Sequence, residues 1–166
     1  MLTRAFVALA LSVSLFAVAV SPARAAETTL PVAEVQWVHN VKANAKTATL
    51  LAKYRCWGGE GAHVWVSLKQ GGGIDDLIGM PQKELEKQEN TGGIAASWYE
   101  DHPENVVCNC QWQIQQFTVF NREAPIPGYH DAPYVPLTAG PAFLQFCVVE
   151  SHGLGFLYTF VDVKMC

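Results

Sequence analysis

Five cysteines, Cys56, Cys108, Cys110, Cys147 and Cys166, carry the most readily foreseen chemistry in this sequence. In an oxidising compartment such thiols pair as disulfides, whereas a reducing one leaves them free or metal-bound. The C-N-C spacing of Cys108 and Cys110 places one residue between them, and zinc ligands want two to four, so no structural metal is expected. An odd count leaves at least one thiol with no partner in its own chain, open to reaction or to a bridge between chains.

Catalysis by a nucleophile needs a base in reach and a group that orients the base. The five histidines, His39, His63, His102, His130 and His152, stand in none of the motifs that place a base beside a nucleophile. Cys147 precedes His152, but several cysteines compete for disulfides here, so a buried or bridged Cys147 is the expectation. Asp75 with Asp76, and Glu100, Asp101 and His102 near Glu104, could offer oxygen ligands to a cation, but EF-hand spacing is missing and solvated loop charges explain them. His130 and Asp131 read the same way. No cofactor motif is present, so no cofactor is expected.

Aromatic residues suggest recognition instead. Trp57 lies at a glycine-rich turn, His63 and Trp65 fall in the polar phase of a strand, and Trp98 and Tyr99 precede an acidic loop. If solvent-facing, these five residues would form a binding surface for a protein or a carbohydrate. The alternative is that the long connection from Gly71 to Gly93 packs over Trp65.

The elements that would position these residues follow a leader. MLTR is positively charged, the sixteen residues Ala5 to Val20 are apolar, and Ala23, Arg24 and Ala25 form an A-x-A exit, so residues 1–25 are predicted to be a cleaved signal peptide. The apolar run is shorter than the ~20 residues of a membrane-spanning helix. Cleavage leaves residues 26–166 as a single domain, released as a secreted, extracellular or cell-envelope protein with no membrane association. It also removes two positive charges, Arg4 and Arg24, taking the formal charge from −4 to −6. That balance argues against nucleic-acid partners.

Along residues 26–166 the two-residue period of half-buried strands recurs. It runs over Val32 to Val41, Thr47 to Cys56, Ala62 to Gln70, Ile94 to Tyr99, Cys110 to Phe120, Ala142 to Glu150 and Phe156 to Met165. Cys56 shares a face with Ala48, Leu50, Ala52 and Tyr54, which points it at the core. A slip of phase at Gln115 and Gln116 predicts a bulge. The connection 71–93 is polar, with a helical signal near Gln82 to Gln88. Pro125, Pro127, Pro133, Pro136 and Pro141 exclude a central strand from their stretch, and the last two strands are expected to form a hairpin.

About seven short antiparallel strands predict an all-β fold, an immunoglobulin-like β-sandwich, with a small barrel as the alternative. The block Tyr54-Arg55-Cys56, Gly58-Gly59 and Gly61 to Gln70 (GAHVWVSLKQ), with the later Phe143-Leu144-Gln145-Phe146-Cys147, resembles small secreted proteins of actinobacteria, mycobacteria included. The resemblance implies an exported Ig-like domain and brings no catalytic motif. In a sandwich, Cys56 would sit beside the start of the strand at Cys110, which favours a bridge from Cys56 to Cys108 or Cys110. A bridge to Cys147 across the sheets is the other possibility. Cys166 is then the candidate free or intermolecular thiol, in a monomer that could dimerise through it. The expected role is an exported, non-catalytic binding module; a hydrolase with a concealed His and carboxylate set is the alternative.

Overall fold

A computed structural model of the chain describes residues 31–122 and 135–166. The predicted leader, and with it Pro125, Pro127, His130, Asp131 and Pro133, lies outside the described residues. Among the described residues no helix is long and apolar enough to cross a membrane.

Alternating apolar residues do form strands. They are β1 (Glu34–Ala43), β2 (Thr47–Arg55), β3 (His63–Gln70), β4 (Ser97–Asp101), β5 (Gln113–Asn121), β6 (Gly140–Glu150) and β7 (Gly153–Met165). The connection between β3 and β4 holds 3-10 turns at Gly72–Leu77 and Gly92–Ile94 and a one-turn helix, α1 (Gln82–Leu85).

The seven strands close into one barrel in the order β1-β2-β5-β4-β3-β6-β7, which corrects the expected immunoglobulin-like sandwich. Two junctions decide this. The short β4 bonds to β3 on one side and to β5 on the other, and β7 joins β1. Alternating strand directions around a ring of odd number cannot stay antiparallel throughout, and the misfit falls at β1 and β7. These two are parallel and pair only at Lys42 with Lys164 and Ala43 with Met165. Every other neighbour is antiparallel.

Inside the barrel, Leu50, Tyr54, Val64, Val66, Leu68, Tyr99, Phe117, Leu144 and Phe146 pack as one core. Such interiors are filled with side chains and leave no pore. A second cluster lies outside the wall, where Ile74, Leu77 and Leu85 of the connection cover Phe143, Cys147 and Tyr158, with Trp65 and Phe160 against them. The polar connection thus forms an outer layer, and β6 is buried on both faces.

Several local expectations change. The pairing of β2 with β5 runs in unbroken register from Thr47 with Phe120 to Tyr54 with Gln113, so Gln115 and Gln116 carry no bulge. The irregularities lie in β1, between Val35 and Trp37 and between His39 and Lys42, where Asn40 has φ 56°. Pro141 is the second residue of β6, a strand bonded on both sides, where it is exposed and paired with Asp162. A proline at the start of a strand forfeits little of the ladder. The expected terminal hairpin is present, from Gly140 with Val163 to Glu150 with Gly153.

Candidate functional site

The outward phase of β2 carries Lys53 and Arg55, and the register with β1 sets Glu34 opposite Arg55. The Arg55 guanidinium donates to Glu34 Oε1 at 2.6 Å and lies 5.0 Å from the centroids of both the Trp57 and the Trp112 rings. Lys53 Nζ stands 5.5 Å over the same Trp112 ring. A weakly hydrated guanidinium between two indole faces is a favourable contact that also holds both rings in place. Trp57 is fixed from behind, because its amide and that of Gly58 donate to Glu150 Oε2 at 2.8 and 3.0 Å.

Beside this stack runs a shallow groove of about 640 Å3 lined by Glu34, Val35, Gln36, Trp112, Leu154 and Phe156. Trp112, Leu154 and Phe156 are 39%, 46% and 43% exposed, an apolar rim next to the charged pair. The Cys56–Cys108 disulfide lies at the same end of the barrel. It joins the end of β2 to the segment before β5, as the position of Cys56 favoured. Cys147 is free and buried, Cys110 and Cys166 free and exposed.

The five aromatic and histidine candidates do not assemble at one place. Trp57 belongs to the stack just described. Tyr99 is inside the barrel at 0% exposure, its hydroxyl donating to the Asn44 carbonyl at 2.8 Å. Trp65 and Trp98 line the outer face of β3 and β4, half-buried and buried respectively, and His63 is at the edge, its Nδ1 2.7 Å from the Gly61 carbonyl oxygen. The register sets Lys69 beside Trp98. Lys69 Nζ lies 4.8 Å from the Trp98 centroid and 5.7 Å from that of Trp65, and Arg122 covers Trp98 at 5.1 Å. Glu100 accepts from Arg122 at 2.7 Å and lies 3.3 Å from His102 Nε2.

Beneath the connection this face is polar and closed. Lys69 donates to Gln145 Oε1 and, at 2.8 Å, to Thr91 Oγ1; Gln145 Nε2 donates to the Gln88 carbonyl at 2.7 Å. Burial pushes the Lys69 ammonium down to about 8, partly offset by the charge of Glu100. Burial likewise pushes the Cys147 thiol up to about 11, with Tyr158 Oη 3.6 Å away and itself raised by burial. A thiol held protonated is a poor nucleophile.

A second concavity of about 560 Å3 follows the open part of the seam between β1 and β7, lined by Trp37, His39, Leu157, Phe160, Asp162 and Lys164 among others. Trp37 and His39 stack there with centroids 4.9 Å apart. Leu157, Thr159 and Val161 are only half-buried, because the wall is incomplete beside them. Ser151 Oγ and His152 Nδ1 are 3.2 Å apart in the β6–β7 turn, but Ser151 also donates to the Gly58 carbonyl at 3.3 Å, which ties the hydroxyl to the loop. Among the described residues, no group of three or more His, Cys, Asp or Glu is gathered as metal ligands.

No protein-family model matches the chain, and no curated protein matches it in sequence. Lys53, Arg55, Trp112 and the groove residues were not foreseeable as a set, since their contact depends on cross-strand register. The alternation that points Lys53 and Arg55 outward was the one signal in the sequence.

Proposed function

We propose that this chain is an exported, non-catalytic binding module that engages a protein through the Arg55–Trp57–Trp112 stack and the adjoining groove. The observation that carries the reading is an arginine locked between two tryptophans beside exposed Trp112, Leu154 and Phe156. Interface hot spots are enriched in Trp and Arg, and pre-fixed rings lose little freedom on binding. The exposed apolar rim of Trp112, Leu154 and Phe156, edged by Glu34 and Gln36, has the apolar centre and polar margin of a protein-binding patch. Export is supported by the disulfide, which forms in oxidising compartments, and by the leader read in residues 1–25. Against the hydrolase alternative stands the Glu100–His102 contact, whose carboxylate oxygen is already taken by Arg122 at 2.7 Å.

Retention of the purified protein on cell-envelope and extracellular fractions tests the reading. Protease treatment of the fraction, and separately Trp112→Ala, should each reduce retention, the substitution by about thirtyfold for a two-kcal/mol hot spot. Trp65→Phe, on the covered face, should retain binding. Equal retention of Trp112→Ala and parent would sink the proposal, and loss on glycosidase treatment alone would replace the protein partner with a carbohydrate.

A further inference from the structure

We propose that Cys110 is the internal nucleophile of a thiol–disulfide exchange that moves the bridge from Cys56–Cys108 to Cys56–Cys110. The C-N-C segment folds back on itself. Cys110 has φ 66°, a left-handed conformation that a cysteine rarely adopts, and Asn109 Oδ1 accepts from the Gln111 amide at 3.1 Å and from Gln113 Nε2 at 2.6 Å. This turn sets the Cys110 amide against the Cys56 carbonyl, 3.0 Å away, while Cys108 is already bridged to Cys56 with Cα atoms 4.7 Å apart. Both cysteines of the pair therefore flank the same Cys56. A 3.0 Å contact from the Cys110 amide to the Cys56 carbonyl oxygen keeps the two Cα atoms within about 7 Å, the outer reach of a disulfide.

The step balances without an added oxidant. Cys110 gives its proton to solvent, and its thiolate lone pair forms the new bond to Cys56 Sγ. The Cys56–Cys108 bond breaks, its electron pair stays on Cys108 Sγ, and that sulfur takes up a proton. One disulfide and one thiol exist before and after. What changes is position. In the observed register the free thiol is the exposed one, two residues from Trp112, and after exchange it is at Cys108, which is half-buried against the core. The exchange therefore presents or withdraws a reactive sulfur beside the tryptophan stack, whether or not that stack binds a protein.

Peptide mapping after incubation at pH 8 without reductant, acid quench and alkylation tests this. Wild-type protein should show Cys108 and Cys110 alkylated to within about tenfold of each other, in a ratio unchanged by tenfold dilution, because the step is intramolecular. Cys110→Ser should hold only Cys56–Cys108, and Cys108→Ser should form Cys56–Cys110. Wild-type protein in which Cys108 is never alkylated would overturn the proposal, as would a ratio that follows protein concentration. So would folded Cys108→Ser protein with Cys56 and Cys110 both alkylated.

Discussion

Lys69 holds its ammonium over two indole rings and against the oxygens of Thr91 and Gln145, with no carboxylate in direct contact among the described residues. Its folded pKa of about 8 lies below the ordinary 10.5 because burial penalises the charge; Glu100 and Cys147 pull it back up and Arg122 pushes it further down. Between those two values the unfolded chain keeps a proton that the folded chain has shed, so stability rises with pH. Cys147 acts in the opposite sense: burial raises its thiol from 9.0 to about 11, and stability falls as pH climbs through that interval. The window from pH 8 to 9 therefore belongs to Lys69. Urea denaturation of protein with its exposed thiols alkylated should show unfolding free energy increasing there, by at most about 1.4 kcal/mol per pH unit. Lys69→Met should give a flat profile over the same window. This cluster was hard to read from sequence because Lys69 and Gln145 sit in the outward phase of their strands, where solvent is the default neighbour. Phe143 and Cys147 in that same phase of β6 were the clue that something covers the face.

Strands were legible wherever alternation was clean, as over β2, and their ends were recovered within a few residues. What the alternation does not contain is partner choice. The irregular β1, with Asn40 at positive φ, read as an ordinary strand, and the phase slip in β5 suggested a bulge that the continuous ladder with β2 lacks. The approach of β7 to the start of β1 depends on a missing side chain: a Cβ on Gly155 would lie 2.0 Å from the Ala33 carbonyl oxygen. Backbone cannot yield as a side-chain tip can, so Gly155→Ala should lower stability by about 2–3 kcal/mol, seen as a fall in Tm. Gly61→Ala is the companion measurement. Nothing lies within 4 Å of its added Cβ, and with φ 77° it should cost only the left-handed penalty of about 1–2 kcal/mol. Equal effects of the two would show that the β1–β7 approach is not tight.

For the molecule as a whole, the number and all-β character of the strands were readable, and the closed topology was not. A sandwich and a barrel share short alternating strands and frequent turns; the difference is whether β4 bonds on both sides and whether the first and last strands meet. The disulfide acts at this scale too. Cys56 and Cys108 are 52 residues apart, and closing a loop of that length stabilises by about 4 kcal/mol in the chain-entropy picture. Cys56→Ser should lower Tm by about 10 °C or more, while Cys166→Ser, exposed and unbridged, should melt with the parent protein. Because Cys110 can replace Cys108, Cys108→Ser should lose far less than Cys56→Ser, a contrast that thermal scans of the variants resolve.

The closure of β1 onto β7 sets a timetable. No ring can form until Lys164 and Met165 have been synthesised, for Lys42 and Ala43 wait on them. During synthesis the growing polypeptide can pair its hairpins but cannot complete the ring. Its final architecture then snaps shut late and slowly, as non-local strand pairing dictates.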